Sequence, residues 1–316
     1  MPVDPQLQPL LDLLANSGAP SITDLEADAA RALMAAMPSM ARVVEIDAIA
    51  DRTIAADGHD IPIRVYTPPG EGPFPILVWF HGGGWVLGSI EQSDPVARAL
   101  CKGAGCVTVS VEYRLAPEHP FPAGLDDCMA ALRWTVEHAA ELGGDGSRVA
   151  VGGDSAGGNL AAAACLVARD EGGPDLCFQL LVYPVTDFDT TTRSMVDNAE
   201  GFMLTTEAMQ WFYDHYTRPS QRGEPLAAPL RAPDLAGLPP ALVITAEFDP
   251  LRDEGEAYGR RLAEAGVPTT VSRYDGMIHG FLLLADLFEE SRRATNEASA
   301  WLRQVTRESH LTRRGA

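Results

Sequence analysis

Three residue types that together activate a hydroxyl occur here in a telling order. A serine lies between glycines in Gly153-Asp154-Ser155-Ala156-Gly157, an acidic stretch follows an apolar run around Asp249, and a histidine stands at His279. A serine hydroxyl is a weak nucleophile until a base takes its proton and a carboxylate orients that base. Arg148 to Gly152 reads as a strand and Ala156 onward as a helix, which puts Ser155 on the abrupt turn between them. Backbone can close that tightly around a nucleophile only if the residues two before and two after it lack side chains, and both are glycine. The helix starts at the serine, so its free N–H groups favour the negative charge that acyl transfer builds up. A glycine-rich turn that merely packs tightly has the same spacing, so the partners decide.

An elbow of this kind expects its acid and base later in the chain, acid first. Of the histidines after Ser155, His215 falls in a stretch without strands and His310 in the tail. His279 follows the strand-like Thr269 to Tyr274 and opens a loop at that strand's far end, where open α/β sheets place ligands. His279 is the expected base. For the acid, Leu242 to Ala246 runs into Glu247-Phe248-Asp249-Pro250-Leu251-Arg252-Asp253. Asp249 precedes a turn-setting proline and is the expected acid. Glu247, which could still end the strand, and Asp253, which suits the first turn of a helix, are its rivals.

A tetrahedral oxyanion also needs N–H donors aimed at one spot. Gly82-Gly83-Gly84 ends the apolar run Phe74 to Phe80 with no side chains in the way, so Gly83, Gly84 and Ala156 form the expected oxyanion hole. A phosphate-cradling loop would want Lys-Ser or Lys-Thr next, and Trp85-Val86 stands there instead.

These residues need a scaffold, and 316 residues with 46% hydrophobic content suffice for one large α/β domain. Strand-like runs alternate with helical ones. Phe74 to Phe80, Cys106 to Val111, the elbow strand, Leu176 to Tyr183, Ala241 to Phe248 and Thr269 to Tyr274 are separated by helical stretches such as Pro95 to Lys102 and Gly124 to Leu142, which predicts a mostly parallel sheet flanked by helices. Ahead of it, Val43 to Ile49 and Ile61 to Tyr66 around Asp57-Gly58 predict an antiparallel hairpin, with Pro62 arguing for an edge. Two N-terminal helices are expected, one with Leu7, Leu10, Leu11 and Leu14 on a face, the second after Ser21-x-x-Asp24 with Leu25, Ala29, Leu33 and Met37. Residues 186–239 hold aromatic and Met-rich helical segments but no strand, and read as an insertion above the sheet. With residues 1–42 they would form a cap. The end after Trp301 is expected to fray.

Composition narrows the partners. A formal charge of -20 speaks against nucleic acid, whose phosphates need clustered Lys and Arg. Five cysteines without a C-x-x-C pair fit reduced, buried thiols and a cytoplasmic protein. No signal peptide or membrane span is expected. No metal or organic cofactor is implied, and a homodimer is one arrangement the sequence allows.

Beyond the elbow, His81-Gly82-Gly83-Gly84-Trp85, the run Tyr113 to Ala123, Asp249-Pro250-Leu251-Arg252-Asp253-Glu254-Gly255 and His279-Gly280-Phe281 stand in an order that resembles the hormone-sensitive-lipase-like family of α/β-hydrolase esterases. The resemblance spans about two hundred residues. It implies an α/β-hydrolase fold with a helical cap, a triad of Ser155, Asp249 and His279, and the oxyanion hole already named. Tyr113 to Ala123 would be structural support beneath the site. The implied substrate is a small-molecule ester of short to medium acyl length, with Trp85, Phe202, Met203, Trp211 and Phe212 around its acyl chain. A lactone, amide or acetylated sugar would suit the same triad. Some members keep the fold as hormone receptors after losing the histidine, and here His279 is present.

Overall fold

The computed structural model describes residues 2–36, 44–284 and 287–314, with side chains as far as residue 307; Met37, Val43 and the His310 side chain lie outside these. Helices α1 (Gln8–Ala15) and α2 (Ala27–Ala36) precede the hairpin β1 (Ala48–Ala56) and β2 (His59–Thr67). Then come β3 (Phe74–Phe80), α3 (Ile90–Ala104), β4 (Val107–Val111), α4 (Ala123–Glu137), β5 (Gly144–Asp154), α5 (Ala156–Asp170) and β6 (Leu176–Val182). The insertion holds α6 (Arg193–Asp197) and α7 (Thr206–Tyr216), and the chain ends with β7 (Ala241–Phe248), α8 (Arg252–Glu264), β8 (Thr269–Ile278) and α9 (Glu289–Arg314). Among the described residues no helix is long and apolar enough to cross a membrane.

The eight strands form one sheet in the order β1-β2-β4-β3-β5-β6-β7-β8, antiparallel as far as β4 and parallel from there on. The central strands are apolar on both faces because both are covered. Leu77, Trp79, Leu180, Leu242 and Ile244 belong to one core with Val96 and Leu100 of α3 and Ala298 and Leu302 of α9. Their neighbours Ile76, Val78, Val149, Val151, Leu181 and Val243 face the other core with Leu132, Leu160 and Leu262 of α4, α5 and α8. That side-to-side alternation is the period of a pleated strand.

Several expectations are corrected. Pro62 is not on the edge: β2 pairs on both sides, and the edge strand on that side of the sheet is β1. Pro62 is tolerated because it lies opposite Glu112, just past the end of β4; its carbonyl accepts the Glu112 N–H at 3.0 Å, and its missing donor faces the end of the ladder. The first strand runs from Ala48 to Ala56 rather than ending at Ile49, and its exposed residues carry little apolar alternation. Ser21 caps a 3-10 turn at Ile22–Asp24 instead of the helix. α2 buries Ala27 and Ala30, leaving Ala29 exposed. Helix α9 continues past Trp301.

Candidate active site

Strand register delivers the site. In the β3/β5 pair, Phe80 lies beside Gly153, so the glycine loop and the elbow leave the sheet side by side. In the β7/β8 pair, Ala246 lies beside Tyr274 but Phe248 beside Ile278, so β8 takes up two extra residues across an irregularity. The next residue on each strand is Asp249 and His279. Gly276, at φ +79°, forms the kink, and its N–H donates to Glu247 Oε2 at 2.8 Å. Glu247 thus secures the kink that brings His279 level with Asp249.

Ser155 occupies φ 56° and ψ -118°, a conformation that costs a non-glycine residue on the order of 1–3 kcal/mol. Surrounding contacts enforce it. A Cβ on Gly153 would strike the Gly157 carbonyl, and one on Gly157 the Phe80 carbonyl. Ser155 N–H donates to Val182 O at 2.9 Å.

The three expected residues meet. His279 Nδ1 and Asp249 Oδ2 are 2.8 Å apart, and a carboxylate only accepts, so Nδ1 carries the proton and donates. Nε2 then accepts from the Ser155 hydroxyl at 2.9 Å. Asp249 is wholly buried, while Ser155 and His279 are each 8% exposed. Its other oxygen accepts the Leu251 N–H at 2.8 Å. The rivals are engaged elsewhere: Asp253 accepts the Ser194 N–H at 2.8 Å, and Glu247 holds Gly276.

Among the described residues, the N–H groups of Gly83, Gly84 and Ala156 meet no acceptor in the protein, as expected of donors at a loop and a helix start. Gly83 and Gly84 sit at φ +113° and +60°, where side chains are strained.

Of the residues that hold this loop, sequence reasoning expected Tyr113, in the supporting run Tyr113 to Ala123, but assigned no such part to Asp154, His81 or Tyr183. Asp154 Oδ1 accepts the Gly82 N–H at 3.0 Å. Burial pushes the Asp154 carboxyl up to about 6, opposed by that N–H and by His279. His81 Nδ1 donates to Gly82 O at 2.8 Å, its ring stacks on Tyr113 at 4.3 Å, and Tyr113 O–H donates to His81 O at 2.8 Å. Burial pushes the His81 imidazole down to about 4, which keeps it neutral. Tyr183, at φ 33°, lays its ring 4.6 Å from that of His279. The x position of G-x-S-x-G was the one available signal for Asp154; a strand-end tyrosine offers none.

The expected pocket residues separate into two groups. The Phe212 ring packs onto Gly84, and Met203 Cε reaches Gly280, next to His279. Trp85 is buried in a stack on Tyr216 at 4.0 Å, Phe202 turns to Phe248 at 4.8 Å, and Trp211 lies tilted against His215 at 4.0 Å. The N-terminal helices also part company. Leu7, just before α1, and Leu11 within it join the core that holds Phe281 and Phe288, whereas Ala27 and Ala30 of α2 join the one that holds Trp85 and Phe212. Arg31 of α2 donates to Val86 O and Ala116 O at 2.8 and 2.7 Å and pairs with Glu118, holding that carboxyl down to about 2. All five cysteines are buried, and none forms a disulfide. Among the described residues no group of three or more His, Cys, Asp or Glu is placed to hold a metal ion.

Sheet order, elbow and loop positions define an α/β hydrolase, and residues 77–283 match the family model described by that fold. The chain is 43% identical to carboxylesterase NlhH of Mycobacterium tuberculosis over 95% of its own length and 97% of the relative's. It is 38% identical to an ethyl acetate hydrolase of Pseudomonas putida, covering 84% and 86% of the two chains. A thermostable esterase from Pseudomonas putida superposes with a TM-score of 0.93 at 42% identity, over 96% of this chain and 98% of that one. The chain belongs to the hormone-sensitive-lipase-like family of α/β-hydrolase esterases.

Proposed function

We propose that this protein is a serine carboxylesterase that hydrolyses short- to medium-chain carboxylic esters through an acyl-enzyme. The observation that carries the reading is the hydrogen-bonded run from Asp249 through His279 to Ser155 at the elbow, with contacts of 2.8 and 2.9 Å. Ser155 Oγ attacks the ester carbonyl as its proton passes to His279 Nε2, and Asp249 stabilises the imidazolium. The oxyanion rests on the N–H groups of Gly83, Gly84 and Ala156. Collapse breaks the bond to the alkoxy oxygen, which leaves as the alcohol with the proton from His279. Water then adds to the acyl-enzyme with His279 as base, releasing the carboxylic acid and restoring Ser155.

Small acyl groups fit the close cover of Phe212 over Gly84, and the relative named ethyl acetate hydrolase supports the same size class. We read α2 with the segment 186–239 as the cap over this site, and buried cysteines without disulfides favour the cytoplasm. Kinetics on esters of graded acyl length, with Asp249→Asn and Asp253→Asn beside the wild type, test the reading. Asp249→Asn should lose about 10⁴-fold in kcat. An active Asp249→Asn with an inactive Asp253→Asn would overturn the acid assignment, and no turnover of any ester would overturn the reading itself.

A further inference from the structure

The loop that carries Asp249 is gripped from the insertion. Ser194, fully buried in α6, donates its hydroxyl to Pro250 O at 2.6 Å and accepts the Asp253 N–H at 3.1 Å. Asp253 answers by accepting the Ser194 N–H at 2.8 Å. One turn on, Asn198 Nδ2 donates to Asp249 O at 3.1 Å and, more weakly, to Glu247 O at 3.4 Å. Glu254 completes the grip, its buried carboxyl oxygen accepting the N–H groups of Thr186 and Asp187 at 2.7 and 3.2 Å. The grip continues outward: Thr206 Oγ1 donates to Met195 O at 2.5 Å, and Thr206 opens α7, the helix that carries Phe212.

Asp249 orients His279 through one oxygen, and a carboxylate does this only if its own backbone is fixed. Pro250, next in the chain, has no N–H to offer, so its carbonyl is the backbone handle at the turn, and Ser194 holds it. We propose that Ser194 and Asn198 are positioning residues for the triad acid, so that α6 sets the geometry of Asp249 as well as supporting the pocket wall. The proposal rests on the esterase reading and assigns α6 a part in it. Ser194 acts on the loop from both of its polar groups, whereas Asn198 acts on the Asp249 carbonyl directly.

The test uses the full chain with Ser194→Ala, Asn198→Ala and Ser194→Thr, assayed on p-nitrophenyl acetate, with thermal melting and the far-downfield proton resonance of His279 Nδ1–H. Both alanine variants should lose about tenfold to a hundredfold in kcat with KM within about twofold of wild type. The resonance should shift or broaden in both, and Ser194→Thr, which keeps a hydroxyl, should recover most of the rate. Lowered melting with kcat and resonance unchanged would make the contacts purely structural and overturn the proposal. Should Ser194→Ala not fold, Asn198→Ala, which removes a single donor, decides; if neither folds, α6 is needed for the fold itself and the proposal falls. A wild type without esterase activity would instead remove the reading on which the proposal stands.

Discussion

The Phe212 ring lies so close to Gly84 that a Cβ on the glycine would come within 2.2 to 2.5 Å of three of its ring carbons. The helix α7 therefore touches the glycine loop itself, and on the proposed reading the acyl chain meets its length limit where the two meet. Replacing Phe212 by alanine should move the preferred ester toward longer acyl chains, seen as a changed ranking of kcat/KM from acetate to octanoate. Melting should fall too, because truncating a buried phenylalanine costs about 3–5 kcal/mol. An unchanged ranking would place the acyl chain elsewhere.

Asp154 gives the protein a pH dependence of definite sign. Its carboxyl is raised by burial from 3.8 to about 6, so between those values the folded state binds more protons than the unfolded one. Stability from this group is then full below 3.8 and lost as pH rises through about 6. Asp154→Asn keeps an oxygen for the Gly82 N–H but has no charge to bury. It should melt above wild type at neutral pH, by up to about 3 kcal/mol, with the gap closing toward pH 4. A gap that is constant, or widest in acid, would show that Asp154 does not titrate this way.

Arg31 joins α2 to the loop after Trp85 through Val86 O and to the Tyr113 to Ala123 run through Ala116 O and Glu118. Bonds from a charged donor contribute about 1.5–3 kcal/mol each, so Arg31→Ala should lower the melting temperature measurably. Removing residues 1–37 should do the same and also alter acyl-length preference, because α2 shares a core with Phe212. Unchanged melting and preference would make the segment a dispensable tail.

Much of this was legible in the sequence where a residue's type follows from its surroundings. The runs Phe74 to Phe80 and Ala241 to Phe248 match β3 and β7 end to end, since strands covered on both faces must be apolar throughout. Ser155 and Asp249 stood out because each follows a largely apolar strand, and His279 because it opens the loop after the last strand-like run and comes after the acid in the chain. What stayed hidden depends on register. Nothing local to Glu247 says that it holds the kink at Gly276, nor to Ser194 that it grips Pro250, because the partners lie 29 and 56 residues away. β1 was misplaced for the opposite reason: an exposed edge strand leaves its residue types free. Among the pocket residues expected from the sequence, Phe212 and Met203 reach the loops of the site, while Trp85, Phe202 and Trp211 pack against other rings, a distinction that aromatic content alone does not carry.

The central claim is that the hydroxyl of Ser155, activated by His279, breaks the ester bond. The measurement that tests it most directly is the turnover of p-nitrophenyl acetate by Ser155→Ala beside the wild type, with both proteins shown to melt cooperatively. The wild type should hydrolyse the ester, and the variant should fall by about 10⁴- to 10⁶-fold in kcat. A folded Ser155→Ala with near wild-type turnover would contradict the account.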